Sequence, residues 1–343
     1  MDHKERFYAT LNREKVDRPA SWLGLPHADA VPGLLKHFGV PNLNELRSKI
    51  DDDIYPIDLP YHSPVSDAIT MAFDFSGKGH NEWDDYTLNA PGFFKDMNDP
   101  ERVADFDWPD PEKHINPEEC IQFVNNAPDN VIRLGAIWSA HFQDVFSAFG
   151  MENACLQMMM APDVVRAVAD RIVNFYLKAN EIFFEATKGK LDAVLIGNDF
   201  GGQSSLMVSP EMIKEFAFPG TQKLVDQAKS YGLKVVHHSC GSIYDIIPDL
   251  IEIGVDAIHP MQVGAANMEP WRMKKEFGDK VAFVGGVDAQ HTLPNETPDV
   301  VRKEVLKLKE LFPTGLIISP SHEAVLPDVE PANVEALFKA VND

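Results

Sequence analysis

Cysteine is scarce in this 343-residue chain: Cys120, Cys155 and Cys240 are odd in number and far apart. That argues against a disulfide framework, suits a reducing compartment and leaves at least one thiol for other work. Positive charge is also in short supply. Lysine and arginine total 31 against 53 aspartates and glutamates, a formal net charge of -22, which repels nucleic acid and anionic membranes. No nucleic-acid partner is expected. No apolar run approaches the ~20 residues that a membrane-spanning helix needs, and the opening "MDHKERFYATLNREKVDRP" lacks the apolar core of a signal peptide. The expectation is a cytoplasmic protein without a membrane partner. Repeats, low-complexity tracts and Pro/Gly/Ser-rich linkers are missing too, so residues 1–343 read as one domain.

What remains is an alternation of short β-branched runs with longer stretches of helical spacing, the pattern of a parallel sheet with crossover helices. The runs place strands at 20–25, 53–58, 131–137, 191–199, 233–240, 256–260, 280–286 and 315–320. Eight strands interleaved with helices predict an α/β fold, a single (β/α)8 TIM barrel with its active site at the carboxyl ends of the strands. Residues 63–110 break the alternation. Their alternating apolar residues, the turn formers Gly77 and Gly79 and the acidic stretch around Trp83 suggest a hairpin-like insertion after the second strand. It is expected to cover the mouth or make a subunit contact.

Polar residues at the expected strand ends are Asp58, His62, Trp138, His141, Asp199, His238, Cys240, His259, Gln262, Asp288, Ser321, His322 and Glu323. The sharpest feature is "VVHHSCGSIYDIIPDL", 235–250. Positions two apart on a strand face the same side, so His238 and Cys240 both point to the barrel axis, and imidazole with thiolate favours zinc. His322 at the last strand is the first choice for a third ligand, ahead of Glu323 and Asp199. A lone H-x-C in a chain with 12 histidines also arises by chance. A nucleophilic Cys/His pair is a further reading, although two neighbours on one strand are poorly disposed for it. His237 alternates to the helix side as a structural histidine. His259 either lines the pocket or bonds a loop carbonyl, Asp199 either orients a ligand or caps a turn, and Trp138 either packs or forms an aromatic wall. Met158, Met159 and Met160 read as helix packing.

The stretches "HHSCGSIYDIIPDLIEIGVDAIHPMQ" (237–262), "VAFVGGVDAQHTLPNETPDVVRKEV" (281–305) and "ISPSHEAVLPDVEPANVEALFKAV" (318–341) resemble the uroporphyrinogen decarboxylase superfamily. So do "ERFYATLNREKVDRPASW" (5–22) and "IGNDFGGQSSLMVSPEMIKEFAFP" (196–219). The resemblance implies the same single barrel. True decarboxylases carry an arginine-rich "RQAGR" loop after the first strand, whereas residues 22–31 here read "WLGLPHADAV". A substrate with eight carboxylates would find little to bind there. The resemblance therefore favours the branch of cobalamin-dependent zinc methyltransferases, which bind zinc through His-x-Cys and a distant third residue, commonly cysteine. His238 and Cys240 match, and His322 stands in the third place. Implied are one Zn2+ per chain acting as Lewis acid, Asp199 and His259 as catalytic residues, and Trp138, His141 and Gln262 at the substrate. The implied reaction moves a methyl group between a small methoxy compound (O-demethylation) or a thiol and cobalamin. The Asp-x-His-x-x-Gly pattern of cobalamin carriers is absent, so the cobalamin would come on a partner corrinoid protein; the family also suggests a homodimer. A decarboxylase of a tetrapyrrole or smaller carboxylic acid and a non-catalytic small-molecule-binding barrel are the alternatives.

Overall fold

The computed structural model describes residues 1–77 and 90–343. Seven parallel strands lie side by side in chain order: β1 (Ile54–Asp58), β2 (Ile132–Trp138), β3 (Ala193–Gly197), β4 (Lys234–His238), β5 (Ala257–Met261), β6 (Ala282–Val287) and β7 (Leu316–Pro320). Each coincides with an expected strand. The eighth, 20–25, is not a regular strand: a single bridge joins Ser21 to Ile318 of β7. Gly24, at φ +78, breaks the extended run because only glycine fits there; a Cβ would lie 2.2 Å from the carbonyl oxygen of Glu323. The segment nevertheless closes the sheet. Ile318 N–H donates to Ala20 O (2.8 Å) and Trp22 N–H to Ile318 O (3.0 Å), while Asp53 N–H, just ahead of β1, donates to Ser21 O (3.2 Å). The outcome is the α/β barrel that the alternation predicts.

Alternation fills the inside. Trp22, Ile54, Leu134, Leu195, Val236, Ala257, Val284 and Ile317 form one buried cluster, joined by Phe7 and Leu11 of the helix His3–Leu11. The other strand faces join a larger cluster with the surrounding helices. With the interior packed solid, ligands can reach only the end of the barrel.

The stretch expected to be a hairpin carries, among its described residues, 3-10 turns at Ile69–Met71 and Pro100–Asp105 rather than paired strands. Gly79 and Trp83 lie outside the described residues. Among its described aromatics Phe94 stacks on Trp108 at 5.8 Å within the segment, and Phe73 meets Phe175 at 4.7 Å, which fastens the segment to the helix Pro162–Ala186. Met158 is buried as expected, but Met159 and Met160 are exposed, because the helix Met151–Met160 ends there and its inward face is already used.

The helix His141–Phe149 buries Asp144, whose Oδ2 accepts the Tyr176 hydroxyl at 2.6 Å. Burial raises this carboxyl to about 7 against the opposing pull of Tyr176. A raised acid is protonated in the fold and ionised in the unfolded chain between the two values, so it weakens the fold as pH rises from 3.8 to about 7. Asp144→Asn should therefore leave stability near pH 4 little changed and raise it at pH 8 by about 4 kcal/mol. Urea denaturation at the two pH values checks this; equal effects at both would refute it.

Candidate metal centre

The inner face of β4 carries His238 two residues beyond Val236, so the imidazole stands directly on the packed interior. Cys240 follows past the strand end. Glu323 is brought to the same point by the loop after β7, which the closing segment holds: Leu25 N–H donates to Glu323 O at 2.6 Å. Three donor atoms converge. Cys240 Sγ is 3.5 Å from His238 Nε2 and 4.0 Å from Glu323 Oε2, and His238 Nε2 is 3.9 Å from Glu323 Oε2. Ligands of a tetrahedral zinc, with bonds of roughly 2.0–2.3 Å, stand about 3.3–3.8 Å apart. The nitrogen, sulfur and oxygen donors fit that ion with small adjustments.

Two further groups flank the triangle. Asp199, at the end of β3, accepts Cys240 N–H at 2.8 Å and lies 3.2 Å from His238 Nε2. Burial opposes ionisation of Asp199, yet His238 and the Cys240 N–H together hold it at about 2. Burial likewise opposes protonation of His238, but Asp199, Cys240 and Glu323 raise it well above its ordinary value. His322 Nδ1 accepts Ala324 N–H at 3.1 Å and its Nε2 lies 3.4 Å from Glu323 Oε2. The ligand atoms of Cys240, His322 and Glu323 fall within 4.8 Å of one another, as do those of Asp199, His238 and Cys240.

Behind the triangle His259 is fully buried, and its Nδ1 is 2.9 Å from His238 Nδ1. Burial and the charges of His238 and His322 push it well below the ordinary histidine value, so it is a neutral ring. Trp138 stands edge-on to His238 with ring centroids 5.1 Å apart. Gln262 bonds through both ends of its amide: its Oε1 accepts Gly241 N–H at 2.6 Å and its Nε2 donates to Gln203 Oε1 at 3.2 Å. That fixes the turn after Cys240.

His141 is not at the mouth. Trp138 and Ser139 both take positive φ, +53 and +55, and the chain turns so that His141 opens a helix facing the outer layer. There it is fully buried, with Nε2 3.1 Å from Thr221 Oγ1, and burial lowers it to about 3. His62 is exposed and pairs with Asp67 and Glu119. His237 stacks on Phe200 in the helix layer, as strand alternation requires. Sequence reasoning did not single out Asn198, which is buried and accepts Phe142 N–H at 2.6 Å; its position at the end of β3 was the available signal.

The family described as uroporphyrinogen decarboxylase (URO-D) matches residues 85–343. A uroporphyrinogen decarboxylase from Chlorobium phaeobacteroides is 29% identical over 240 residues, covering 66% of this chain and 64% of that protein. A methylated-thiol–coenzyme M methyltransferase from Methanosarcina mazei is 24% identical over 178 residues, 50% of this chain and 44% of that protein. The chain thus spans under two thirds of the length of these curated relatives. Among solved structures, a methyltransferase from Methanosarcina mazei matches with a TM-score of 0.72 at 18% identity, over 100% of this chain and 98% of that one. That likeness is one of fold. No helix among the described residues is long and apolar enough to cross a membrane.

Proposed function

This chain belongs to the uroporphyrinogen decarboxylase family, and from that premise we propose that it is a zinc-dependent methyltransferase. The methyl group would pass between a small donor such as a methoxy compound, or a thiol acceptor, and the cobalamin of a partner corrinoid protein. The observation that carries the reading is the triangle of His238 Nε2, Cys240 Sγ and Glu323 Oε2. The methyltransferase names among its relatives support it. A decarboxylase of carboxylate-rich substrates is disfavoured because "WLGLPHADAV" at 22–31 offers no arginine.

His238, Cys240 and Glu323 would hold the ion, with His322 at the rim as the alternative third ligand. Zinc bound there would supply a Lewis acid, lowering the pKa of a thiol or drawing on a methoxy oxygen. The chain's own groups do the rest. Asp199 fixes the Cys240 backbone and, beside the site, can accept or return a proton at the departing oxygen or sulfur. Trp138 walls the site. The test is elemental analysis of protein purified without chelator, followed by methylation of added cob(I)alamin from methoxyarenes. About one zinc per chain with transfer supports the reading; a protein that neither holds zinc nor transfers methyl refutes it.

His259 has a positioning role in this scheme. A zinc ligand bound through Nε2 carries its proton on Nδ1, and the hydrogen-bond partner of that atom among the described residues is His259 Nδ1 at 2.9 Å. His259→Phe should therefore weaken zinc binding by about 10–100-fold. His259→Asn, whose amide oxygen can accept the same proton, should recover most of it. Chelator competition measures both; equal losses in the two variants would assign His259 to packing alone.

A further inference from the structure

Positive charge is segregated in this barrel. Residues 19–35, 50–77, 134–165, 191–213, 235–271, 281–301 and 310–338 contain no lysine or arginine, and these stretches include the loops that leave the carboxyl ends of β2 to β7 and only the first part of the long loop after β1. Lysine and arginine begin again beyond them. Arg166, Lys214 and Arg272 follow on helices, held by Asp163 and Glu215, by Asp249 and by Glu269 respectively. In the long loop after β1, Lys95, Arg102 and Lys113 lie beside Asp96, Asp105 and Asp110; Lys78 lies outside the described residues. The opposite end is where strands begin with Arg133, Lys234 and Lys280.

The strand ends at the mouth instead present Asp58, Asp199, Asp288 and Glu323. Asp199 serves His238, and Asp288 ties its own loop through Gln290 and His291. Asp58 serves neither purpose. It lies four residues beyond the inward-facing Ile54, so alternation turns it toward the axis. It is exposed and pairs with no cation among the described residues; desolvation by the protein around it raises its carboxyl. A zinc ion balanced by Cys240 and Glu323 would leave Asp58 without a counter-charge, while Asp199 keeps His238 at 3.2 Å and the Cys240 N–H at 2.8 Å.

We propose that the mouth is a charge filter, admitting methyl donors that are neutral or cationic and turning away carboxylates, sulfonates and phosphates. The substrate class this names rests on the methyl-transfer reading. An anion entering here meets like charge and finds no guanidinium or ammonium to pair with, whereas an ammonium or a neutral arene meets none of that repulsion. Each unpaired carboxylate within about 5–8 Å shifts binding of a unit charge by about tenfold at intermediate dielectric.

Cys240 lies inside the filter and can report on it. In protein freed of metal by chelator, with the buried Cys120 replaced by alanine and the half-buried Cys155 by serine, its rate of reaction would be compared for two methanethiosulfonates. One carries a trimethylammonium group and the other a sulfonate, both referenced to 2-mercaptoethanol. The cationic reagent should be favoured about tenfold or more, with the preference shrinking severalfold at 0.5 M salt and in Asp58→Asn. A ratio at or below that of free 2-mercaptoethanol overturns the proposal. Methyl transfer from 4-methoxybenzyl alcohol, 4-methoxybenzylammonium and 4-methoxybenzoate then supplies the second arm. Benzoate should be the slowest by at least about tenfold, and benzoate serving as well as the alcohol overturns the filter. No transfer from any of the three, with the reagent preference intact, removes the reaction and keeps the filter.

Discussion

Cys240→Ser should lower zinc affinity by about 100-fold or more and take methyl transfer down with it. Thiolate is the softest donor of the set and the one that neutralises most charge on the ion, whereas a serine hydroxyl stays protonated at neutral pH. The fold should survive, because the short bond Cys240 gives, to Asp199 at 2.8 Å, comes from the backbone N–H, and the sulfur makes only long contacts to His238 and Glu323. The same titration ranks the third ligand. Glu323→Gln removes a donor 3.9 Å from His238 Nε2 and should cost more affinity than His322→Ala, whose ring sits at the rim. Retention of one zinc per chain in Cys240→Ser would remove the thiol from the site, and a larger loss in His322→Ala would exchange the roles of the two C-terminal candidates.

Asp53→Ala should destabilise the protein by about 3–5 kcal/mol, measured by denaturant unfolding. Asp53 is fully buried and receives six donors: His3 Nδ1 at 2.7 Å, Arg6 Nη1 at 2.6 Å, Arg18 Nη1 at 2.7 Å and Nη2 at 3.4 Å, and Ser21 through N–H at 2.8 Å and Oγ at 3.3 Å. Removing the carboxylate leaves two largely buried guanidinium groups with one carboxylate partner each, Arg6 with Asp17 and Arg18 with Asp51. It also frees the segment around Ser21, which closes the barrel. The pH dependence has a definite sign. Burial opposes ionisation of Asp53, but His3, Arg18 and Arg6 hold it below its ordinary value. Its contribution is therefore complete above pH 3.8 and lost as pH falls toward the folded pKa. His3, raised first by Asp53, adds stability below 6.5 that disappears as pH climbs past its own folded value. Asp53→Asn should flatten both limbs, and an unchanged acid limb would exclude this carboxylate as its source.

The strands were legible because periodicity and β-branching determine them locally, and β1 to β7 fall where those signals put them. The 20–25 segment carries the same apolar signal, but Gly24 is required by the approach of Glu323, a contact some 300 residues away that no local pattern encodes. His238 and Cys240 were legible for a related reason: two residues on one strand share a face whatever the rest of the chain does. The third ligand is less closely determined: His322 ranked first by residue type, but past a strand end alternation no longer dictates direction, and the loop after β7 brings both His322 and Glu323 to Cys240. His141 failed on backbone grounds, through two successive positive φ values at Trp138 and Ser139. Gln262, expected at the substrate, has its amide bonded to Gly241 and Gln203, partners that no local pattern shows.

The closing segment also sets a schedule. Ribosomal synthesis delivers Ala20, Trp22 and Leu25 about 300 residues ahead of their partners Ile318 and Glu323. Until those emerge, the barrel stays open at one seam and β1 to β6 can only form a curled, incomplete sheet. Contacts so distant in sequence make closure a slow, late event. Glu323 joins His238 and Cys240 through that same seam, so the donor triangle comes into being only with the final closure. Ion capture would then time-stamp the end of folding: a nascent chain halted before residue 316 has two of the donors and lacks the third.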